Sequence, residues 1–175
     1  MRPYEELIVP IPDYPKPGIV FQDLTPAFAD GAAFAAMVDD LAAHFADAGI
    51  TKVVGAEARG FIVGAAVALR LGAGFVPCRK PGKLPRTTLR ESYVLEYGTD
   101  ALEIHADALT PDDVVLIVDD LVATGGTTTA MVRLVRASGA HLAGLGFVME
   151  LAFLSPRAVI AEETDAEVFS LVAVD

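Results

Sequence analysis

Cysteine occurs once in 175 residues, at Cys78, so no internal disulfide can form and the chain suits a reducing compartment. The three histidines and that cysteine form no cluster with metal-ligand spacing. No apolar run reaches membrane-spanning length, and Met1–Pro10 has none of the features of a secretion signal, so a cytoplasmic protein free of membrane is expected. Positive charge is scarce. Thirteen Lys and Arg against 24 Asp and Glu leave a net charge of −11, which argues against nucleic acid or an anionic membrane as the main partner. Internal repeats and low-complexity tracts are absent as well.

The composition that remains, 53% hydrophobic with 21% charged, fits a compact α/β protein whose 1–175 span forms a single domain. Its most informative stretch is 114–129. Val114 to Val118 are five consecutive apolar residues, four of them β-branched, and predict a strand buried on both faces as in a parallel sheet. Asp119 and Asp120 then stand at its carboxyl end, the edge where ligands sit in open α/β sheets. A helix is expected from about Thr127 to Ser138, stopped by Gly139, with Met131, Leu134 and Val135 on one face.

Between strand and helix, Gly125 and Gly126 let the backbone turn sharply with its N–H groups exposed. The hydroxyls of Thr124, Thr127 and Thr128 and the helix dipole add to a socket for a phosphate monoester. Like charges repel, so the two aspartates would bind neighbouring sugar hydroxyls or a metal ion instead. A phosphate socket beside a diol clamp describes a site for a ribose 5-phosphate. A Walker loop is excluded because no lysine follows Gly126 at the required place. An Asp pair after a strand also occurs in phospho-acceptor receiver domains, which lack the rest of this pattern.

A second concentration of chemistry lies at residues 79–90. Arg79, Lys80, Lys83, Arg86 and Arg90 fall there with no acid among them. An acidic protein that gathers cations in this way directs them at a small polyanion; the bland alternative is a solvated basic loop. Pro81, Gly82 and Pro85 rule out regular structure, so Arg79 to Tyr93 reads as a mobile loop. Six prolines within residues 1–28 likewise imply an extended segment with turns.

Taken together, these residues resemble the type I phosphoribosyltransferase family. The family motif is a hydrophobic strand, two acids and a Thr-Gly-Gly-Thr loop, here 124–127, and the form at 118–127 is closest to members that act on adenine. The segments Tyr14–Pro26, Glu57–Phe61 and Arg79–Gly98 match further family motifs, in family order. The implied fold is α/β, the type I phosphoribosyltransferase fold. It has a twisted, mainly parallel sheet flanked by helices, a small N-terminal hood at about 1–28, and a flexible lid with a hairpin at about 79–105. The implied activity moves the 5-phosphoribosyl group from phosphoribosyl pyrophosphate to adenine, giving AMP and pyrophosphate in purine salvage. Mg²⁺ would be carried by the pyrophosphate and not held directly by the protein, and the enzyme would be a homodimer. Transfer to another purine base, or a non-catalytic nucleotide-sensing regulator, are the alternatives.

The resemblance also assigns roles. The backbone around Val20 and Gln22 would read the base edge, Phe21 would stack on the ring, and Leu151 would face it from the other side. Gln22 departs from the arginine usual there, and Arg86 stands where a small residue is usual. Glu57, Ala58 and Arg59 would form the pyrophosphate loop, with a non-proline cis peptide near Glu57-Ala58. Arg79 and Lys83 would meet the pyrophosphate from the lid. Tyr97 would lie near the substrate, and Glu96 is the candidate for proton transfer. Asp119 and Asp120 would hold the ribose hydroxyls, and Ala123, Thr124, Gly125, Gly126 and Thr127 would anchor the 5-phosphate. Three residues have plainer readings that the chain alone leaves open. Phe21 could be core, Glu96 a step in strand alternation, and Arg59 the partner of Glu57 or of a sheet-edge acid.

Remaining elements follow from pattern. Asp30 should cap a helix over Gly31–Ala48 with Phe34, Val38, Leu41 and Phe45 as its stripe, ended by Gly49, and His44 should lie on its surface. Lys52–Ala56, Phe75–Cys78, His141–Met149 and Glu167–Val174 read as strands and Phe61–Leu71 as a helix closed by Gly72. Tyr93–Tyr97 with Ala101–His105 reads as an antiparallel hairpin, on which His105 packs or faces solvent. Ser155-Pro156 should start a short helix as cap and first-turn proline. Cys78 should be a small buried side chain.

Overall fold

The computed structural model describes residues 2–94 and 99–175, apart from the side chains of Val94 and Thr99. The expected site residues Glu96 and Tyr97 lie outside the described residues. The described chain runs β1 (Val9–Pro12), β2 (Val20–Asp23), α1 (Thr25–Ala29), α2 (Gly31–His44), β3 (Lys52–Ala56), α3 (Gly60–Leu71) and β4 (Gly74–Cys78). It continues with β5 (Thr88–Val94), β6 (Thr99–His105), β7 (Val114–Val122), α4 (Gly126–Ser138), β8 (His141–Leu151), α5 (Pro156–Ala161) and β9 (Glu167–Val174).

Five strands form one sheet in the order β4-β3-β7-β8-β9, and every pairing in it is parallel. Alternation along each strand sends neighbouring side chains to opposite faces, and both faces are buried. Val115 and Ile117 pack with Met131, Leu134 and Val135 of α4, together with Leu102 and Ile104 of the hairpin. Leu116 and Val118 pack on the other face with Met37 and Leu41 of α2 and Val63 and Val67 of α3. Four of the five residues of the apolar run at 114–118 are thereby placed in the core, and Val114 is half-buried at the start of the strand.

The order of strands matters for function. From β3 the chain passes through α3 to β4 on one side. From β7 it passes through α4 to β8 and then β9 on the other. The two connections part between β3 and β7, which makes a crevice at the carboxyl ends of those strands. Two smaller antiparallel pairs flank the sheet, β1 with β2 and β5 with β6. The first is the expected hood.

Several boundaries differ from the sequence expectation. β7 continues past Val118 to Val122 because β8 keeps pairing with it, Asp119 against Phe147 and Val122 against Glu150. The hairpin begins at Thr88, so Thr88–Ser92 are strand and not loop; cross-strand pairing overrides the turn-rich sequence before them. α2 stops at His44, and a 3₁₀ turn over Ala46–Ala48 leads to Gly49 at φ 66°. His44 is exposed on the surface of α2, as expected, and it has partners there. Its ring stacks on Phe169 at 3.7 Å and bonds to Glu167 at 2.8 Å. Ser155 precedes α5 at φ 53° without a side-chain cap, so only the proline half of that signal acts. Cys78 is fully buried, and burial pushes its thiol pKa well above the ordinary value.

Asp30 does cap α2, accepting the N–H groups of Ala32 and Ala33 at 3.0 and 2.8 Å. Asp30→Ala should cost about 1 kcal/mol of stability while turnover stays at the native level, because the cap lies outside the crevice. An unchanged urea midpoint would contradict the cap assignment.

Candidate active site

The crevice between β3 and β7 collects most of the residues singled out from the sequence. On the β3 side, pairing with β7 ends at Gly55 opposite Val118, so Asp119 and Asp120 lie just beyond the end of that ladder. The loop Glu57–Arg59 and the start of α3 stand where β3 has ended. The Glu57-Ala58 peptide is cis, as the family resemblance implied, and Tyr14-Pro15 is cis as well. Gly60 opens α3 against the acids: a Cβ there would run into the Asp119 carboxylate. Only a residue without a side chain lets the helix start this close.

Both aspartates are buried. Asp119 Oδ1 accepts the Asp120 N–H at 2.9 Å. Burial raises the Asp119 pKa well above 3.8, and the neighbouring Asp120 charge raises it further. Burial also raises Asp120, opposed by the Arg59 guanidinium. Arg59 Nε stands 2.7 Å from Asp120 Oδ2, yet that buried oxygen has no aligned hydrogen-bond donor among the described residues. Two adjacent buried carboxyls share their negative charge poorly, and Arg59 is the one cation paired with them among the described residues. The pair suits a ligand that brings hydroxyl donors or positive charge.

Arg59 thus pairs with an acid of the sheet and not with Glu57. Glu57 instead holds Arg79, whose Nε lies 2.6 Å from Glu57 Oε2. The Arg79 guanidinium also lies 6.0 Å from the Phe61 ring centre, within range of a cation–π contact. Together Glu57, Ala58, Phe61, Arg79, Lys80 and Lys83 line a cleft of about 440 Å³. Lys80 is paired with Asp100 at 2.9 Å and Arg86 with Asp107. Lys83 has no ion pair among the described residues, which leaves its charge available to an anion.

Beyond β7 the chain turns through Ala123 and Thr124 to Gly125, at φ 89°. A Cβ there would lie 3.3 Å from the Pro156 carbonyl oxygen and from Val159, so backbone angle and packing both call for glycine. α4 starts at Gly126, one residue earlier than expected, and no side chain caps it. Its first N–H groups are unmatched within the helix and point from a positive dipole end. Thr128 is buried, so the hydroxyls left to the cup are those of the exposed Thr124 and the half-buried Thr127.

Phe21 belongs to neither apolar cluster. It meets Tyr14 edge-on at 5.3 Å, and the Arg59 guanidinium lies 5.6 Å from its ring centre. The hood therefore brings Phe21 to the crevice instead of the core. Val20 is 52% exposed on the same strand, and Gln22 is half-buried. Leu151, half-buried, ends β8 at the same carboxyl edge of the sheet.

A profile described as Phosphoribosyl transferase domain matches residues 25–168. The chain belongs to the phosphoribosyl transferase family. Among the relatives of this phosphoribosyl transferase, the adenine phosphoribosyltransferase of Aeromonas salmonicida is 58% identical over 147 residues, covering 84% of this chain and 81% of that one. The crystal structure of adenine phosphoribosyltransferase from Thermoanaerobacter pseudethanolicus superposes with a TM-score of 0.92 at 45% identity and covers 98% of both chains. An APRTase from Giardia lamblia, solved with 9-deazaadenine, gives a TM-score of 0.92 at 38% identity, covering 98% of this chain and 96% of that one. The fold expected from the resemblance is the fold found.

Three groups went unnoticed in the sequence. Gly60 has no side chain to flag it. Glu150 is buried and bound by Arg157 and by Ser170, at 2.8 and 2.9 Å, and these residues lie on three different elements. Arg157 and Ser170 hold the Glu150 pKa below its usual value. Tyr93 bonds to Asp100 across the hairpin. No spacing signal connects such residues.

The raised pKa of Asp119 carries a sign. A carboxyl whose native pKa exceeds its unfolded value binds its proton more tightly when folded. It therefore withdraws stability as pH climbs from about 3.8 through the native pKa. Asp119→Asn should accordingly melt at or above the wild-type temperature, with the difference opening as pH rises from 4 toward 8. Its turnover should fall by about 100-fold or more, as for loss of a preorganised electrostatic group. A variant that melts lower throughout, or keeps normal turnover, would contradict this account of the pair.

Proposed function

We propose that the protein transfers the 5-phosphoribosyl group of phosphoribosyl pyrophosphate to adenine, giving AMP and pyrophosphate. One observation carries the reading: an uncapped helix start with a left-handed glycine follows directly on a buried acid pair offset by Arg59 alone among the described residues. The first recognises a phosphate and the second a vicinal diol. Names of relatives, at 58% identity in the case of Aeromonas salmonicida, support adenine as the base.

In this reading Ala123, Thr124, Gly125, Gly126 and Thr127 bind the 5-phosphate, and that remote binding energy orients the reacting carbon. Asp119 and Asp120 accept the ribose hydroxyls and offset positive charge as it develops at the anomeric centre. Arg59, Arg79 and Lys83 receive the departing pyrophosphate in the cleft beside Glu57 and Ala58. Mg²⁺ arrives with that substrate as its counter-ion. Phe21 stacks on the base, the backbone at Val20 and Gln22 reads its edge, and Leu151 covers its second face. Glu96 moves the proton and Tyr97 contributes to substrate binding, roles that rest on the family resemblance.

A homodimer and a cytoplasmic setting complete the proposal. Leu69, 84% exposed, borders an apolar groove between α2 and α3, which supports a second copy packing there. Among the described residues no helix is long and apolar enough to cross a membrane.

A panel of adenine, hypoxanthine, guanine and xanthine, each with phosphoribosyl pyrophosphate and Mg²⁺, tests the reading through the nucleotide product. AMP should dominate, with stoichiometric pyrophosphate. A preference for another base would replace adenine, and no product from any base would leave a nucleotide-sensing role. Lys83→Ala should raise KM for phosphoribosyl pyrophosphate about tenfold, as expected for loss of about 1.4 kcal/mol of binding, while KM for adenine stays near its native value.

A further inference from the structure

The wall behind the phosphate cup is a helix too short to hold itself in place. α5 has six residues, fewer than a helix needs to persist alone. Ser155 enters it in a left-handed conformation, and no side chain caps it. Yet the cup leans on it. A Cβ on Gly125 would stand 3.3 Å from the Pro156 carbonyl oxygen and from Val159 Cβ, so the backbone of the turn lies directly against the first turn of α5. The seat of α5 therefore limits how far the backbone at Gly125 and Gly126 can shift.

Two anchors fix that seat. Ile160 is buried in the same apolar cluster as Ala130 and Leu134 of α4. The second anchor is polar. Arg157 Nε donates to the two Glu150 carboxylate oxygens at 2.9 and 3.0 Å, and its Nη2 donates to Oε2 at 2.8 Å. Its Nη1 reaches the Val168 carbonyl oxygen at 2.8 Å, and the Ser170 hydroxyl donates to Glu150 Oε2 at 2.9 Å. Glu150 is 3% exposed, and its backbone pairs in register with Val122, the last residue of β7 before the cup, and with Ala173 of β9. The carboxylate stands on the strand beside the one that leads into the cup. Its guanidinium partner stands on the helix that backs the cup.

Stability alone does not call for such a pair. Apolar side chains of similar volume often hold a buried position as well as an ion pair, or better. What a forked guanidinium on a carboxylate adds is a fixed angle and distance, since several N–H bonds must be made at once. That precision falls at the one place where α5 meets a backbone whose N–H groups must all aim at one anion.

We propose that Glu150 and Arg157 are positioning residues for the phosphate cup, their clamp seating α5 against Gly125 so that the backbone donors of the cup stay aimed at a sugar 5-phosphate. The proposal rests on the cup being the 5-phosphate site of the reading above. Both residues act through Pro156 and Val159, and neither touches the substrate. The opposite side of the crevice is built from the loop after β3, the start of α3 and the loop after β4, so its grip on pyrophosphate is independent of the clamp.

The test is calorimetric titration of the full-length protein with ribose 5-phosphate and, separately, with magnesium pyrophosphate. Arg157→Lys keeps a positive charge beside Glu150 but loses the fork. Its dissociation constant for ribose 5-phosphate should rise about tenfold or more, the effect of losing one well-made hydrogen bond to a charged group. Its pyrophosphate affinity should stay within about twofold of wild type, well under one such bond. The double variant Glu150→Gln with Arg157→Met removes both charges, leaves the Ser170 hydroxyl an acceptor, and should show the same split; it serves if the lysine variant folds poorly. A lower melting temperature with ribose 5-phosphate affinity unchanged, or an equal loss of both affinities, makes the pair a structural brace only and overturns the proposal while the cup stands. A wild-type protein that binds no ribose 5-phosphate removes the cup itself, and the role of the clamp with it.

Discussion

Two carboxyl groups are held beside each other out of water at the carboxyl ends of the central strands, and the surroundings are arranged around that cost. Asp119 and Asp120 are buried by β8 on one side, by Gly60 of α3 at close approach, and by Arg59 across the crevice. Desolvation and mutual repulsion both favour the protonated form. A fold selected only for stability would place apolar residues here, as it does at Val115 to Val118. Two acids at this position are instead poised to give up their unfavourable state when hydroxyl donors and a developing positive charge arrive.

The rest of the architecture serves that pair. The parallel sheet needs helices on both faces, and the divergence of connections after β3 and β7 opens the crevice. On one flank the helix dipole and backbone N–H groups of α4 offer neutral donors for a phosphate. On the other, Arg79 and Lys83 offer charge for a second anion. In the proposed reading, segregation of these three chemistries would give a phosphate, a diol and a diphosphate separate parts of one small site. The net charge of −11 makes this local concentration of cations more selective, because the remaining surface does not attract polyanions.

How much was legible in the sequence depended on whether a feature is local. The strand at 114–118, the Asp30 cap, and the glycine stops at Gly72 and Gly139 are decided within a few residues, and each appears in the structure. The acids and the cup are contiguous in the chain, so their meeting needed no tertiary information. Errors arose where a partner strand extends an element. β7 runs on through both acids because β8 pairs with it, and β5 begins at Thr88 because β6 does. The expected cap at Ser155 fails because that residue takes a left-handed conformation.

The sequence by itself determined the chemistry on offer: a buried strand ending in two acids, a glycine turn with hydroxyls, and a cluster of cations around two prolines. These are short-range properties of residue type and order. Only the tertiary structure decided who meets whom. It paired Arg59 with Asp120 and Arg79 with Glu57, brought Phe21 out of the core toward Arg59, and joined Tyr93 to Lys80 through Asp100. Those contacts span distant segments, and their geometry is set by sheet order and helix packing, which no local pattern encodes.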